Sequence, residues 1–151
     1  MSNRVKLLQG QIRYKGGYKY QLIENYDIAI PSLPTGGYTV NGRLFHIHGK
    51  RFLEIIEKRL WILQGYAWDG PSGPTIDTKD SMRASLVHDA LYQLIREGHL
   101  PQAYRKQADI LLREIAIEDG MWRWRAWGWY WAVRKFGGKH NAKPRPAHTA
   151  P

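Results

Sequence analysis

DSMRASLVHDALYQLIREGHLPQAYRKQADILLREIAIEDG, residues 80–120, carries two helical periods with a short break between them. Asp80 or Ser81 can cap the first helix, which runs to about Arg96 and ends at Gly98. Its apolar stripe is Met82, Leu86, Val87, Ala90, Leu91 and Leu94, at the spacing that puts side chains on one helical face. Pro101 suits the first turn of a second helix ending near Gly120. That helix buries Ala108, Leu111, Leu112, Ile115 and Ile117. So few residues join the two helices that they form an antiparallel hairpin.

Outward from the hairpin the period changes. From about residue 8 to 66 the chain reads as β. GQIRYKGGYKYQL alternates around Gly16-Gly17, a hairpin signal. Pro31, Pro34, Gly36 and Gly37 mark a loop. Further short strands follow, with Asn41-Gly42 and His48-Gly49-Lys50 as turns, for four to six antiparallel strands in all. On the other side, a third helix from Met121 to Phe136 stops at Gly137-Gly138. The expected fold is therefore α+β: an N-terminal antiparallel β-sheet, then the helix hairpin, then a Trp-rich helix. Residues 1–138 read as a single domain and 139–151 as a disordered basic tail.

Composition narrows the function. The 151 residues include no cysteine, which excludes thiol catalysis, zinc–thiolate sites and iron–sulfur clusters. Residues 121–151 hold seven Lys/Arg, no acid and five of the seven tryptophans, leaving only +3 of the net +10 for residues 1–120. No apolar run reaches membrane-spanning length and the N-terminus lacks a signal-peptide pattern. The expectation is a cytoplasmic protein, peripheral to a membrane.

The hairpin also carries the candidate chemistry. Ser81, Ser85, His88, Tyr92 and Ile95 share one stripe beside the apolar face, with Asp89 next to it. Arg105, Asp109 and Leu112 form a stripe on the second helix. At about 1.5 Å per residue from the loop midpoint, His88 and Asp109 lie at nearly the same height. If the stripes face each other, Asp109 bonds one imidazole nitrogen and leaves the other as a base. Tyr92, one turn along, can donate to the same carboxylate. Asp89, beside a Gly/Pro-rich loop with Asp69 and Ser72, is a candidate calcium ligand, since calcium takes many oxygen donors. Each feature alone has a bland alternative: a packed histidine, a surface ion pair, a simple turn. His46 and His48 share a strand face and read as structural or surface residues.

Two resemblances attach to these residues. The order Asp69-Gly-Pro-Ser72-Gly-Pro74, LVHDALY at 86–92, RKQAD at 105–109 and the closing WRAWGWYWAVRKFGG resembles a family of uncharacterised bacteriophage and prophage proteins, over roughly residues 40–138. The DG loop, the HD-x-x-Y helix and the Asp on the next antiparallel helix are similar to phospholipase A2 of the bacterial and fungal type. That resemblance implies a hairpin of the phospholipase kind. It implies His88 as the water-activating base, Asp109 as its orienting partner and Tyr92 as the tyrosine bonding that Asp. It also implies calcium held by Asp89 and by the loop at Trp68, Asp69, Gly70 and Ser72. Val87 and Ala90-Leu91 stand where that family's flanking cysteines would be, and Pro71-Ser72 interrupts its G-x-G loop.

The third helix carries Trp122, Trp129, Val133 and Phe136 on one face and Trp124, Trp127 and Trp131 on another, with Arg123, Arg125, Arg134 and Lys135 between. Such residues fit an anionic membrane surface, or nucleic acid by base stacking and phosphate contacts. The leading expectation is a phage-encoded phospholipase A2-like hydrolase acting on a membrane lipid ester with calcium. The alternative is a non-enzymatic phage protein binding membrane, nucleic acid or a virion partner. A His-Asp peptidase or nuclease ranks last.

Overall fold

A computed structural model describes residues 14–15, 20–33, 43–47, 50–68 and 79–141. They fall into two compact units that divide between Ala67 and Trp68. The first is β. Its strands are β1 (Tyr14–Lys15), β2 (Tyr20–Leu22), β3 (Tyr26–Ala29), β4 (Arg43–Ile47), β5 (Lys50–Ile56) and β6 (Arg59–Ile62), and β7 (Ala67–Trp68) straddles the division, with Trp68 in the second unit. A four-stranded sheet runs β3-β6-β5-β4 and a three-stranded one β1-β2-β7. Among the described pairs every register is antiparallel.

The register explains the sheet's two sides. Leu53 pairs with Ile62, Ile55 with Leu60, Tyr26 with Ile62 and Ile28 with Leu60. All six are buried, so alternate residues of three strands line one apolar face. Asp27, Trp61 and Glu54 pair on the other, and are only half-buried. The antiparallel β1–β2 pair agrees with the hairpin expected around Gly16-Gly17, though the turn itself lies outside the described residues. So do Asn41-Gly42 and His48.

One turn was not anticipated. β5 and β6 are joined by Glu57 and Lys58 alone, both with left-handed backbones (φ 48° and 62°). Two-residue hairpins favour this geometry because it matches strand twist, but they usually place Gly or Asn there. Tertiary bonds hold it instead: Ile30 N–H donates to the Lys58 carbonyl at 2.8 Å, and Lys58 Nζ to the Pro31 carbonyl at 3.3 Å.

The second unit is helical: α1 (Lys79–Arg96), a 3₁₀ turn (Gln102–Tyr104), α2 (Arg105–Glu118) and α3 (Arg123–Asn141). Helix α1 is buried nearly all round, from Ser81 to Ile95, as suits the central helix of a small bundle. Gly98 (φ +80°) and Gly120 (φ +105°) end α1 and α2. At each, the following residue donates back five positions, His99 to Leu94 and Met121 to Ala116, which closes the helix and needs a left-handed residue. Both ends match expectation. The third helix does not: it continues through Gly137-Gly138 to Asn141. No helix among the described residues is long and apolar enough to cross a membrane.

Candidate functional site

The hairpin brings its two polar stripes together inside the helical unit. His88 on α1 and Asp109 on α2 lie with Nε2 and Oδ1 2.7 Å apart. The Tyr92 hydroxyl, one turn along α1, donates to the same oxygen at 2.5 Å. The imidazole and phenol rings lean on each other, centroids 4.0 Å apart. Asp109 is fully buried and His88 is 6% exposed. A buried carboxylate accepts hydrogen bonds and cannot donate them. Nε2 is therefore the protonated nitrogen, and the neutral ring keeps its lone pair on Nδ1. Among the described residues Nδ1 has no hydrogen-bond partner.

The other carboxylate oxygen is occupied from α3. Arg134 Nη1 donates to Asp109 Oδ2 at 2.9 Å, and Arg105, one turn before Asp109, stands 4.0 Å from it. Arg105 in turn bonds the backbone carbonyls of Val133 and Arg134 at 3.4–3.5 Å. Burial alone would raise the pKa of Asp109. Bonds from His88 and Tyr92, the charge on His88 when its ring is protonated and the Arg134 bond outweigh it and hold the carboxyl below its usual range. Tyr92 moves the other way. Burial first, then the bond to Asp109 and its charge, push the phenol far above its usual value, with Arg105 offsetting part of this.

Gly137 completes the cluster. A Cβ there would stand 2.6 Å from the Tyr92 hydroxyl and 3.1 Å from its ring. The glycine read as a helix stop is the point where α3 presses on the phenol. Arg134, expected on a lipid or anion contact, has its guanidinium on Asp109. The signal for both lay in the period of α3: Tyr130, Val133 and Gly137 are buried at helical spacing, and Arg134 adjoins that stripe. A second, partly buried pair ties the far end of the hairpin. Arg83, 3% exposed, forks onto Asp119 at 2.9 and 2.7 Å.

The expected calcium ligands are only partly on view. Asp89 is half-buried beside His88 on α1. Trp68 is buried, and its indole N–H donates to Ser85 Oγ at 3.0 Å. Asp69, Gly70 and Ser72 lie outside the described residues. Among the described residues no group of three or more His, Cys, Asp or Glu converges, and Asp109 is committed to His88, Tyr92 and Arg134. One carboxylate does not make a calcium shell, so the described residues do not by themselves fit that ion. Of the two strand histidines, His46 lies in β4 at an irregularity of register between Phe45 and His46; His48 is outside the described residues. On α3, Trp124, Trp127, Trp131, Arg123 and Lys135 are exposed and Arg125 is half-buried. Trp129 and Val133 are buried, but Trp122 and Phe136, expected on their face, are exposed.

An α+β chain whose helix hairpin holds a buried His-Asp-Tyr cluster, clamped by an arginine from a third helix, is the class these features define. Residues 55–133 match DUF1353, a family described as of unknown function, and the chain belongs to that family. The match includes His88, Asp89, Tyr92 and Asp109. No curated protein and no solved structure matches the chain.

Proposed function

We propose that the protein is a phage-encoded hydrolase of membrane lipid esters, similar in its chemistry to phospholipase A2. The observation that carries this reading is the His88–Asp109 bond, with Tyr92 on the same oxygen and Nδ1 left without a partner among the described residues. In the proposed reaction His88 Nδ1 takes a proton from water as the oxygen attacks the ester carbonyl. Asp109 stabilises the imidazolium that forms. The tetrahedral adduct collapses with cleavage of the ester C–O bond, and the departing alkoxide recovers the proton from His88. Arg134 and Tyr92 fix the carboxylate and so the ring that it orients. His88→Ala is expected to lower hydrolysis of a fluorescent phospholipid by about 10²–10⁴-fold while the protein still melts cooperatively. Unchanged turnover in that variant would remove the reading.

Calcium assistance belongs to the same proposal through Asp89 and the loop from Trp68 to Gly73, and no step above depends on it. If the site exists, calcium raises the melting temperature of the wild type and leaves that of Asp89→Asn unchanged.

A second reading rests on burial. Asp109 is fully enclosed and neutralised by arginine, as a structural network would be. A non-enzymatic phage protein that binds membrane, nucleic acid or a virion partner fits that observation. Absence of lipid hydrolysis by the wild type, with destabilisation in His88→Ala, is the outcome that selects it.

A further inference from the structure

Helix α3 has two apolar faces, and the fold uses one. Ala126, Trp129, Tyr130, Val133 and Gly137 are buried at helical spacing. At about 100° per residue, Trp124, Trp127 and Trp131 fall within an arc of about 60° on the opposite side. Trp124 and Trp131 are 69% and 62% exposed, Trp127 41%. Contiguous apolar surface of this kind marks an interaction site. Neighbouring side chains pack against two of the three rings, Trp127 and Trp131. The Arg113 guanidinium lies 3.9 Å from the Trp127 centroid and 4.8 Å from that of Tyr130. Tyr130 meets Trp127 and Trp131 edge-on at 5.7 and 5.2 Å. Preorganised side chains lose less entropy on docking.

Charge selects the partner. Residues 121–151 contain no acid. Arg123 and Lys135 are exposed on the flanks of the stripe, whereas Arg134 is engaged with Asp109. Two copies placed face to face would bring cation against cation, so the surface is not self-complementary. Tryptophan has an apolar body and one polar N–H, which suits the boundary between headgroups and acyl chains. The stripe runs about 10 Å along the axis, and such a helix lies in the plane of an interface without crossing it.

We propose that α3 docks lengthwise on an anionic lipid surface, inserting Trp124, Trp127 and Trp131 at the headgroup boundary and placing Arg123 and Lys135 on lipid phosphates. This names the surface on which the proposed hydrolysis takes place, and to that extent rests on that reading. The docking itself needs no chemistry.

The test is flotation of the full chain with vesicles of equal parts phosphatidylcholine and phosphatidylglycerol, followed by tryptophan fluorescence. The wild type floats, its emission shifts to the blue, and vesicles of phosphatidylcholine alone bind it more weakly. A Trp124→Ser/Trp131→Ser double variant loses about tenfold or more in partitioning, while Phe136→Ser, exposed on another side of the helix, stays within about twofold. If the double variant does not melt cooperatively, Arg123→Glu/Lys135→Glu takes its place, with a similar loss expected. Failure of the wild type to float, or flotation of a well-folded double variant like wild type, overturns the proposal. Displacement from vesicles by single-stranded oligothymidylate at lower concentration than by lipid overturns it in favour of base stacking. Concentration-dependent dimerisation lost in the tryptophan variant overturns it in favour of self-association. His88→Ala must float like wild type. Flotation without hydrolysis by the wild type removes the hydrolase and leaves the docking. Hydrolysis of a dispersed short-chain ester without flotation does the reverse.

Discussion

Gly128 and Gly137 lie on the same helix under opposite constraints. A Cβ at Gly128 would meet nothing, whereas one at Gly137 would press on Tyr92. Gly128→Ala is expected to stabilise the protein by about 0.5–1 kcal/mol, since glycine is a poor helix former. Gly137→Ala gains the same propensity but overpacks a phenol held by Asp109, at a cost of about 1–3 kcal/mol. Thermal melts of the two variants should move in opposite directions. Arg134 and Arg123 form a similar contrast. Removing one partner of a buried ion pair costs about 3–5 kcal/mol, and Arg134, itself partly exposed, should fall at or below the low end. Arg134→Met is expected to lose about 2–3 kcal/mol in urea denaturation, and Arg123→Met no more than about 0.5 kcal/mol. At this scale the His88–Asp109–Tyr92 contact was legible, because i, i+4 spacing and equal height in a hairpin specify it. Arg134 was not, because its partner depends on how α3 lies across α1 and α2, and local periodicity does not report that.

Among the elements, the hairpin of α1 and α2 could be read from its apolar stripes and its two closing glycines. The β5–β6 turn could not. Glu57 and Lys58 have no turn signature, and their left-handed backbones are held by bonds to residues 30 and 31. Left-handed backbone costs an ordinary residue about 1–2 kcal/mol. Glu57→Asn/Lys58→Gly, the sequence such a turn prefers, is therefore expected to gain about 1 kcal/mol. A higher urea midpoint with an unchanged slope would report this; a fall would mean that the Lys58 contacts outweigh the strain. The end of α3 misled for a related reason. Gly137-Gly138 resembles a stop, yet Gly137 is there for contact with Tyr92 and the helix runs on.

For the whole molecule, buried Asp109 and half-buried Asp119 respond oppositely to acid. Asp109 has a lowered value in the folded state. Its contribution is present above the ordinary carboxylate range and is lost as the pH falls through the lowered value. Asp119 is raised by burial, with Asp80 adding and Arg83 opposing. Its contribution is full below the ordinary value and declines as the pH rises through the raised one. Acid unfolding should therefore be governed by Asp109. In Asp109→Asn the melting temperature is expected to be lower at neutral pH and to fall less steeply on acidification. An acid limb as steep as the wild type's would show that other groups control it. The net charge of +10, which suggests a nucleic-acid binder when taken over the full chain, is concentrated beyond residue 120. The pairing pattern also has a kinetic consequence. α1 and α2 join across a short connection, so Asp109 meets His88 and Tyr92 at separations of 21 and 17 residues. Tyr26 must find Ile62 across a much longer stretch of chain. Loop closure disfavours the longer search, so the helix hairpin should gain amide protection during refolding before β3 joins its sheet.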